Sequence, residues 1–196
     1  MPAYTLLRPL VIALSLTLGS MALSGCTTTS PGGSASAPSS KATVDAQTDT
    51  ALSRLYSDVP GAREMGAKAK GILVFPSVVG GSLGLGAEYG RGSLRSSDSV
   101  RRYYTIAVGS VGWQVGVQSK TIVYMFTTTE ALDKFRASKG WTAGVDATVA
   151  VANIGANGTV DTETMRQPVV GFVLANGGLE IGASVQGMKV TESPMQ

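Results

Sequence analysis

The sequence predicts an α+β domain: a strongly curved, barrel-like antiparallel β-sheet with N-terminal helices and one inserted helix. Three observations carry this reading. Between Lys41 and Ala69 apolar residues recur at helical spacing, and from Gly71 onward they recur at every second position. Glycine, 25 residues of the 196, returns inside those alternating stretches rather than only between them.

In the first helix Val44, Ala51, Leu52, Leu55, Tyr56 and Val59 share one face. Pro60 suits the first turn of a second helix, where its missing N–H costs nothing. There Ala62, Met65 and Ala69 line one side, while Glu64 and Lys68 stand at the i, i+4 spacing of an ion pair on the other. Both helices read as a lid packed on a sheet. The first has too few cations and large apolar residues for an amphipathic membrane helix.

The first strand is Ile72–Phe75. A glycine-rich second follows, with Leu83, Leu85, Ala87 and Tyr89 set against Gly84, Gly86, Glu88 and Gly90. The pattern returns in Val111, Trp113, Val115 and Val117, and again in Leu179, Ile181, Ala183 and Val185. Such alternation marks a strand with one buried face. Glycine inside a strand marks a tight bend, a bulge, or the close approach of another backbone or a ligand, and three such strands predict strong curvature. Arg102–Val108, Thr121–Phe126, Val145–Val151 and Val169–Leu174 complete the sheet. Thr127-Thr128-Thr129-Glu130 has the form of a capping box for the inserted helix, with Leu132 and Phe135 inward. Asn157-Gly158 reads as a hairpin turn.

The glycines do not form a phosphate loop. A dinucleotide fingerprint needs a third glycine where this chain has Tyr89, and no GK[ST] motif occurs. Nor do the G-x-x-x-G spacings lie within an apolar stretch of membrane-spanning length.

The N-terminal segment has a different character. Arg8 precedes an apolar run from Pro9 to Leu18, too short for an ordinary span of about 20 residues, which fits a secretory signal. Leu23-Ser24-Gly25-Cys26 is similar to the bacterial lipobox, which implies residues 1–25 as a lipoprotein signal peptide and acylation of Cys26. Two or three acyl chains hold a protein to a bilayer where one does not. Thr27, in place of Asp, fits delivery to the outer membrane. Residues 26–40 then form the lipidated Cys26 and a tether of uncharged Ser, Thr, Pro and Gly. Residues 41–196 form one domain, long enough for a normal core.

Much chemistry is excluded. The chain has no histidine and one cysteine, so histidine-dependent catalysis, histidine-ligated metal and an intrachain disulfide are all ruled out. Its carboxylates are scattered. Asp161 and Glu163 beside a turn, and Glu130 and Asp133 in a helical first turn, need no catalytic explanation. An enzyme is not expected, and neither a metal nor a cofactor.

What the chain does have is a local charge asymmetry. Between Gly61 and Tyr104 stand seven cations, Arg63, Lys68, Lys70, Arg91, Arg95, Arg101 and Arg102, against Glu64, Glu88 and Asp98, a balance of +4 in a chain of net +3. This is either an ordinary solvated surface or a contact for anionic headgroups, which attract each such cation by about 1 kcal/mol. Nucleic acid is a poor partner, since no recognised motif is present.

Taken together, AKGILVFPSVVGGSLGLGAEYGRG, YYTIAVGSVGWQVGVQSKTIVYMFTTTEALDKF, the Asp146-containing strand and GFVLANGGLEIGASVQG resemble the SYLF domain, also called the Ysc-type lipid-binding domain. The resemblance runs from about Ala51 to Val190. Its marks are Ala69-Lys70-Gly71, the glycine-rich second strand, Gly109 to Gly112 with Gly116, and Gly177-Gly178-Leu179 with Gly182. It implies a phospholipid-binding domain. Eukaryotic members bind phosphoinositides and some bundle actin, whereas bacterial members are commonly exported or lipid-anchored. The Lys-rich first helix of the eukaryotic pattern is absent, for Arg54 is the clear cation of this one. Lys70 matches the family motif. Lys68, Arg91, Arg95, Arg101 and Arg102 rest on the charge argument alone.

The expectation is therefore a lipoprotein of the bacterial envelope, anchored through Cys26 to the outer membrane. Lys68, Lys70, Arg91, Arg95, Arg101 and Arg102 are its candidate contacts with anionic phospholipid. The other reading is a non-enzymatic structural or interaction module with an envelope or host protein as partner. An actin-binding role in a host cell rests on family analogy alone.

Overall fold

The computed structural model describes residues 40–98, 100–112, 118–152, 159–175 and 178–193. The expected signal peptide, Cys26, the expected tether up to Ser39, Trp113 to Val117 and the expected turn at Asn157-Gly158 lie outside the described residues. Ser36–Gln196 form one compact unit.

Two helices open it, α1 (Lys41–Asp58) and α2 (Ala62–Lys68). Ser40, read as the last tether residue, is the N-cap of α1, its hydroxyl accepting from the Thr43 N–H. Pro60 lies just before the α2 N-cap, Gly61, rather than inside the helix. Then come β1 (Gly71–Ser96), β2 (Arg102–Gly112), β3 (Gln118–Phe126), α3 (Thr129–Ala137), β4 (Trp141–Thr142), β5 (Ala150–Val151), α4 (Thr162–Met165), β6 (Val169–Ala175), β7 (Gly178–Leu179) and β8 (Lys189–Glu192). The sheet order is β4-β8-β2-β1-β3-β6-β5, with β7 on β6. Every pair is antiparallel except β5 with β6, so the curled sheet is mixed rather than wholly antiparallel.

The first two expected strands are one. β1 runs unbroken for 26 residues, pairing with β3 through Gly71–Gly80 and with β2 through Gly84–Leu94. Its pairing with β3 slips between Phe75 and Val78, a bulge at Pro76 and Ser77. Pro76 has no N–H for a ladder, and its carbonyl accepts from the Thr121 hydroxyl at 2.8 Å instead. Beyond the bulge β1 turns back so far that its two halves touch. A Cβ at Gly90 would lie 2.8 Å from the Ser77 carbonyl oxygen, and one at Gly92 would overlap the Val74 carbonyl. Of the roles open to strand glycines, close approach of backbone is the one these two fill.

The curl separates two cores. Leu73, Phe75, Leu94, Ile106, Ile122, Tyr124 and Phe126 fill the concave side, where Trp141 packs edge-on against Tyr124, Phe126 and Phe135. On the convex side Val74, Val123, Met125, Phe172 and Leu174 are covered by Leu52, Leu55 and Val59 around α1 and by Met65 of α2. This alternation across β1 and β3 is the period-two pattern of a sheet buried on both faces.

Four local expectations are corrected. Of the residues read as strand Val145–Val151, only Ala150 and Val151 form a strand, and Ala147 makes an isolated bridge to Ala143; Gly144–Asp146 form a turn, with Gly144 at φ 82° and Val145 exposed. The third glycine strand stops at Leu179, because Gly182 at φ 80° carries the chain into a turn that leaves Ile181 exposed. In the second, Ala87 and Tyr89 face outward while Gly90 and Gly92 are buried, the reverse of the expected facing. The α3 N-cap is Thr128, not Thr127, with the Ala131 N–H bonded to its hydroxyl at 3.2 Å.

Candidate functional site

α1 crosses the convex face from β2 to β6. At its N-terminal end Asp45 reaches Arg101 and Tyr103, while at its far end Arg54 Nη2 donates to the Ala175 carbonyl at 2.6 Å. Register places Arg91 opposite Thr105 and Ser93 opposite Tyr103, so Arg91, Ser93, Arg95 and Tyr103 share that convex face.

Asp45 and Asp49 are one turn apart, which aims both carboxylates at the same strip of sheet. Arg101 Nη1 lies 2.8 Å from Asp45 Oδ1, and its Nη2 lies 3.4 Å from Asp49 Oδ1. Arg95 Nη2 approaches the same Asp49 oxygen at 3.0 Å. The Tyr103 hydroxyl donates to Asp45 Oδ2 at 3.1 Å, and Ser93 donates to Thr48 at 3.2 Å within the buried strip. The bond to Asp45 holds the Arg101 guanidinium above its ordinary range, against the desolvation that opposes it. Burial first, and then the bond to Asp45, raises the Tyr103 phenol.

The six cations expected to meet lipid do not form one patch. Arg95 and Arg101 are joined through Asp49, and Arg91 lies along the same face with Nε 3.5 Å from the Tyr89 hydroxyl. Arg102 pairs in register with the buried Leu94, on the concave side, and meets Glu192 at 3.7 Å. Lys68 forms its expected ion pair with Glu64 at 2.7 Å. Lys70 is exposed, and its N–H donates to the Phe126 carbonyl at 2.8 Å. It leads into Gly71, whose absent side chain faces Leu94 and Leu132, so Lys70 lies at the same end of the sheet as the β1–β2 turn.

Sequence reasoning overlooked the acidic half of this site. The signal was there in the i, i+4 spacing of Asp45 and Asp49 beside the apolar stripe of α1. It also overlooked Arg136 of α3, which bonds Ser96 and reaches Asp98 at 2.9 Å, pinning the β1–β2 turn. The bond from Ser96, chiefly, keeps the Asp98 carboxyl below its usual range.

Beside the middle of α1 lies an open groove of about 400 Å³, between Ala46, Gln47, Thr50, Ala51 and Arg54 on the helix and Pro76 and Ser77 at the bulge. Among the described residues no group of acidic or sulfur side chains could hold a metal ion, and no helix is long and apolar enough to cross a membrane. The arrangement suits charge recognition at a surface.

Comparison with known proteins agrees with the sequence resemblance. No curated protein matches the chain. Residues 107–195 match the family model Ysc84, described as Las17-binding protein actin regulator. The match runs from the middle of β2 to beyond β8, and β1 is bound into it by its ladders to β2 and β3. Residues 107–195 thus belong to the Ysc84 family, the SYLF domain that the sequence resembles.

Proposed function

We propose that the chain is a lipid-anchored protein of the bacterial envelope whose SYLF domain binds anionic phospholipid headgroups. The observation that carries this reading is the gathering of Arg91, Arg95 and Arg101 on one face of the β1–β2 ribbon, in a domain of this family. Cys26 supplies the anchor and the outer membrane is the destination. With Ser40 taken as the cap of α1, a tether of 13 residues, 27–39, has a reach of about 20 Å, enough to return the domain to its parent membrane. Binding rather than turnover fits a site built from arginines, carboxylates and a tyrosine.

The test is flotation of residues 27–196, which contain the whole compact unit, with vesicles of phosphatidylglycerol or cardiolipin and of phosphatidylcholine, at low and high salt. The reading expects binding to the anionic vesicles alone, weakened by salt, and weakened roughly tenfold or more when Arg91, Arg95, Arg101 and Arg102 become Gln. Equal binding to phosphatidylcholine would move the contact to an apolar surface, and no binding would leave Cys26 as the membrane contact.

A second reading is a protein-interaction module, in keeping with the family description as actin regulator. It is favoured by the bare convex face beyond α1, where Val79, Ala87, Tyr89, Ala107 and Gly109 are exposed. Co-purification with one envelope or host protein, lost on changing Tyr89 to Glu, would support it.

A further inference from the structure

The arginines best placed to meet a headgroup already have anionic partners, and those partners sit on the half of a helix that lies outside the convex apolar core. From Ala51 onward α1 is fixed by apolar contact: Ala51, Leu52 and Leu55, with Val59 just past its end, are part of the convex core with Val74, Val123, Met125 and Phe172. Before Ala51 the buried residues are Val44 and Thr48, and neither belongs to that core. Thr48 is held by a hydroxyl–hydroxyl bond to Ser93, and the open groove runs along the helix from Ala46 to Arg54. Besides the buried Val44 and Thr48, this half is joined to the sheet by Asp45 and Asp49, through Arg95, Arg101 and Tyr103.

We propose that the N-terminal half of α1 is an acidic latch over an anion receptor made of Arg95, Arg101 and Tyr103, and that an anionic membrane surface opens it by competing for the two arginines. This rests on the lipid reading above and adds its regulation. In the closed form the two carboxylates hold the receptor as resident ligands. The Asp49 and Arg95 side chains are 50% and 35% exposed, and the Asp45 and Arg101 side chains 29% each. The Asp49–Arg95 pair, open to water, is of the weak kind that yields to salt, whereas the touching atoms of Asp45 and Arg101 are buried, so Asp49 is the side of the latch that releases first. A bilayer presents many phosphates at once, against two carboxylates tethered at high effective concentration. Apparent affinity for lipid is then the intrinsic affinity reduced by the small fraction of open latch. The hinge falls between Thr50 and Ala51, where polar anchoring gives way to apolar.

The test pairs flotation with hydrogen exchange on residues 27–196, using phosphatidylglycerol vesicles. Asp45→Asn with Asp49→Asn removes the latch charges, while Glu130→Gln with Asp133→Asn makes the same change of net charge on exposed α3 positions. The latch variant is expected to bind roughly fivefold or more tighter than the α3 variant. Amides of residues 45–50 should exchange faster than those of 52–58, faster again at high salt without lipid, and faster on vesicles. If the two double variants bind alike while Arg95→Gln with Arg101→Gln abolishes binding, the lipid reading stands and the latch is wrong. If nothing binds, the lipid reading fails, and salt-dependent exchange decides the latch by itself: equal protection of both halves at every salt concentration overturns it.

Discussion

Replacing Gly92 by alanine tests the self-crossing of β1 at its tightest point. The new Cβ would lie 2.7 Å from Phe75 Cδ1 and 2.8 Å from the Val74 carbonyl carbon, with that carbonyl oxygen closer still. Carbon atoms in comfortable contact stand about 3.5–4.0 Å apart, so the halves of β1 must part by about 1 Å. Overpacking of this kind costs about 1–3 kcal/mol and occasionally more. The upper end applies, because the wall is backbone held by β3 on its other side and cannot rotate away as a side chain would. A loss of about 3 kcal/mol corresponds to a Tm lower by roughly 6–12 °C for a domain of this size. Thermal and urea unfolding of residues 27–196 would measure it. The control is Gly109→Ala on the exposed face of β2, where a Cβ meets nothing within 4 Å. There alanine should be neutral or stabilising by up to about 1 kcal/mol, since glycine in a strand has the greater chain entropy to lose. A Gly92→Ala protein within about 0.5 kcal/mol of the parent, or one no worse than Gly109→Ala, would refute the crossing.

Two other outcomes follow from single contacts. Thr128→Ala removes the hydroxyl that caps α3 and should cost about 1 kcal/mol in urea unfolding, with Thr128→Ser recovering most of it. Tyr104 lies in the concave core, 4% exposed, with its ring 5.0 Å from that of Phe135, and burial pushes its phenol up to about 12. Because the fold favours the protonated phenol, its contribution is whole below the ordinary value of 10 and is lost as pH rises toward 12. The urea midpoint should therefore fall across that window, and Tyr104→Phe should flatten part of the fall. The remaining slope belongs in part to Tyr124, which burial shifts in the same direction.

The sequence showed the class of fold because helical and alternating periods survive wherever an element is buried on a definite face, as in Leu52 and Leu55 or in Ile122 and Tyr124. It divided β1 in two because Pro76 and the glycines after Val79 look like punctuation. In the folded chain they are a bulge and a crossing, both produced by contacts between distant parts of the strand. Ile181 kept the alternating pattern without the strand, since nothing in that pattern shows that Gly182 takes a positive φ. Charge was legible as composition, and as partnership only where it is local, as between Glu64 and Lys68. Whether Arg101 faces solvent or Asp45 depends on where α1 lies across the sheet, and no local pattern around Arg101 encodes it. Cys26 is the opposite case, an expectation that rests wholly on a local motif and lies outside the described residues.

The continuity of β1 also means that the matched stretch cannot be separated from what precedes it. Both ladders of β1 run into the stretch that begins at residue 107, one to β2 and one to β3. A chain cut to residues 107–195 would keep the aromatic cluster of Tyr124, Phe126, Phe135 and Trp141, yet leave β2 and β3 each with a bare strand edge where β1 had been. Such edges recruit other chains, so the fragment is expected to self-associate rather than fold. The boundary at which kinship becomes detectable is therefore not a boundary at which this polypeptide can be divided.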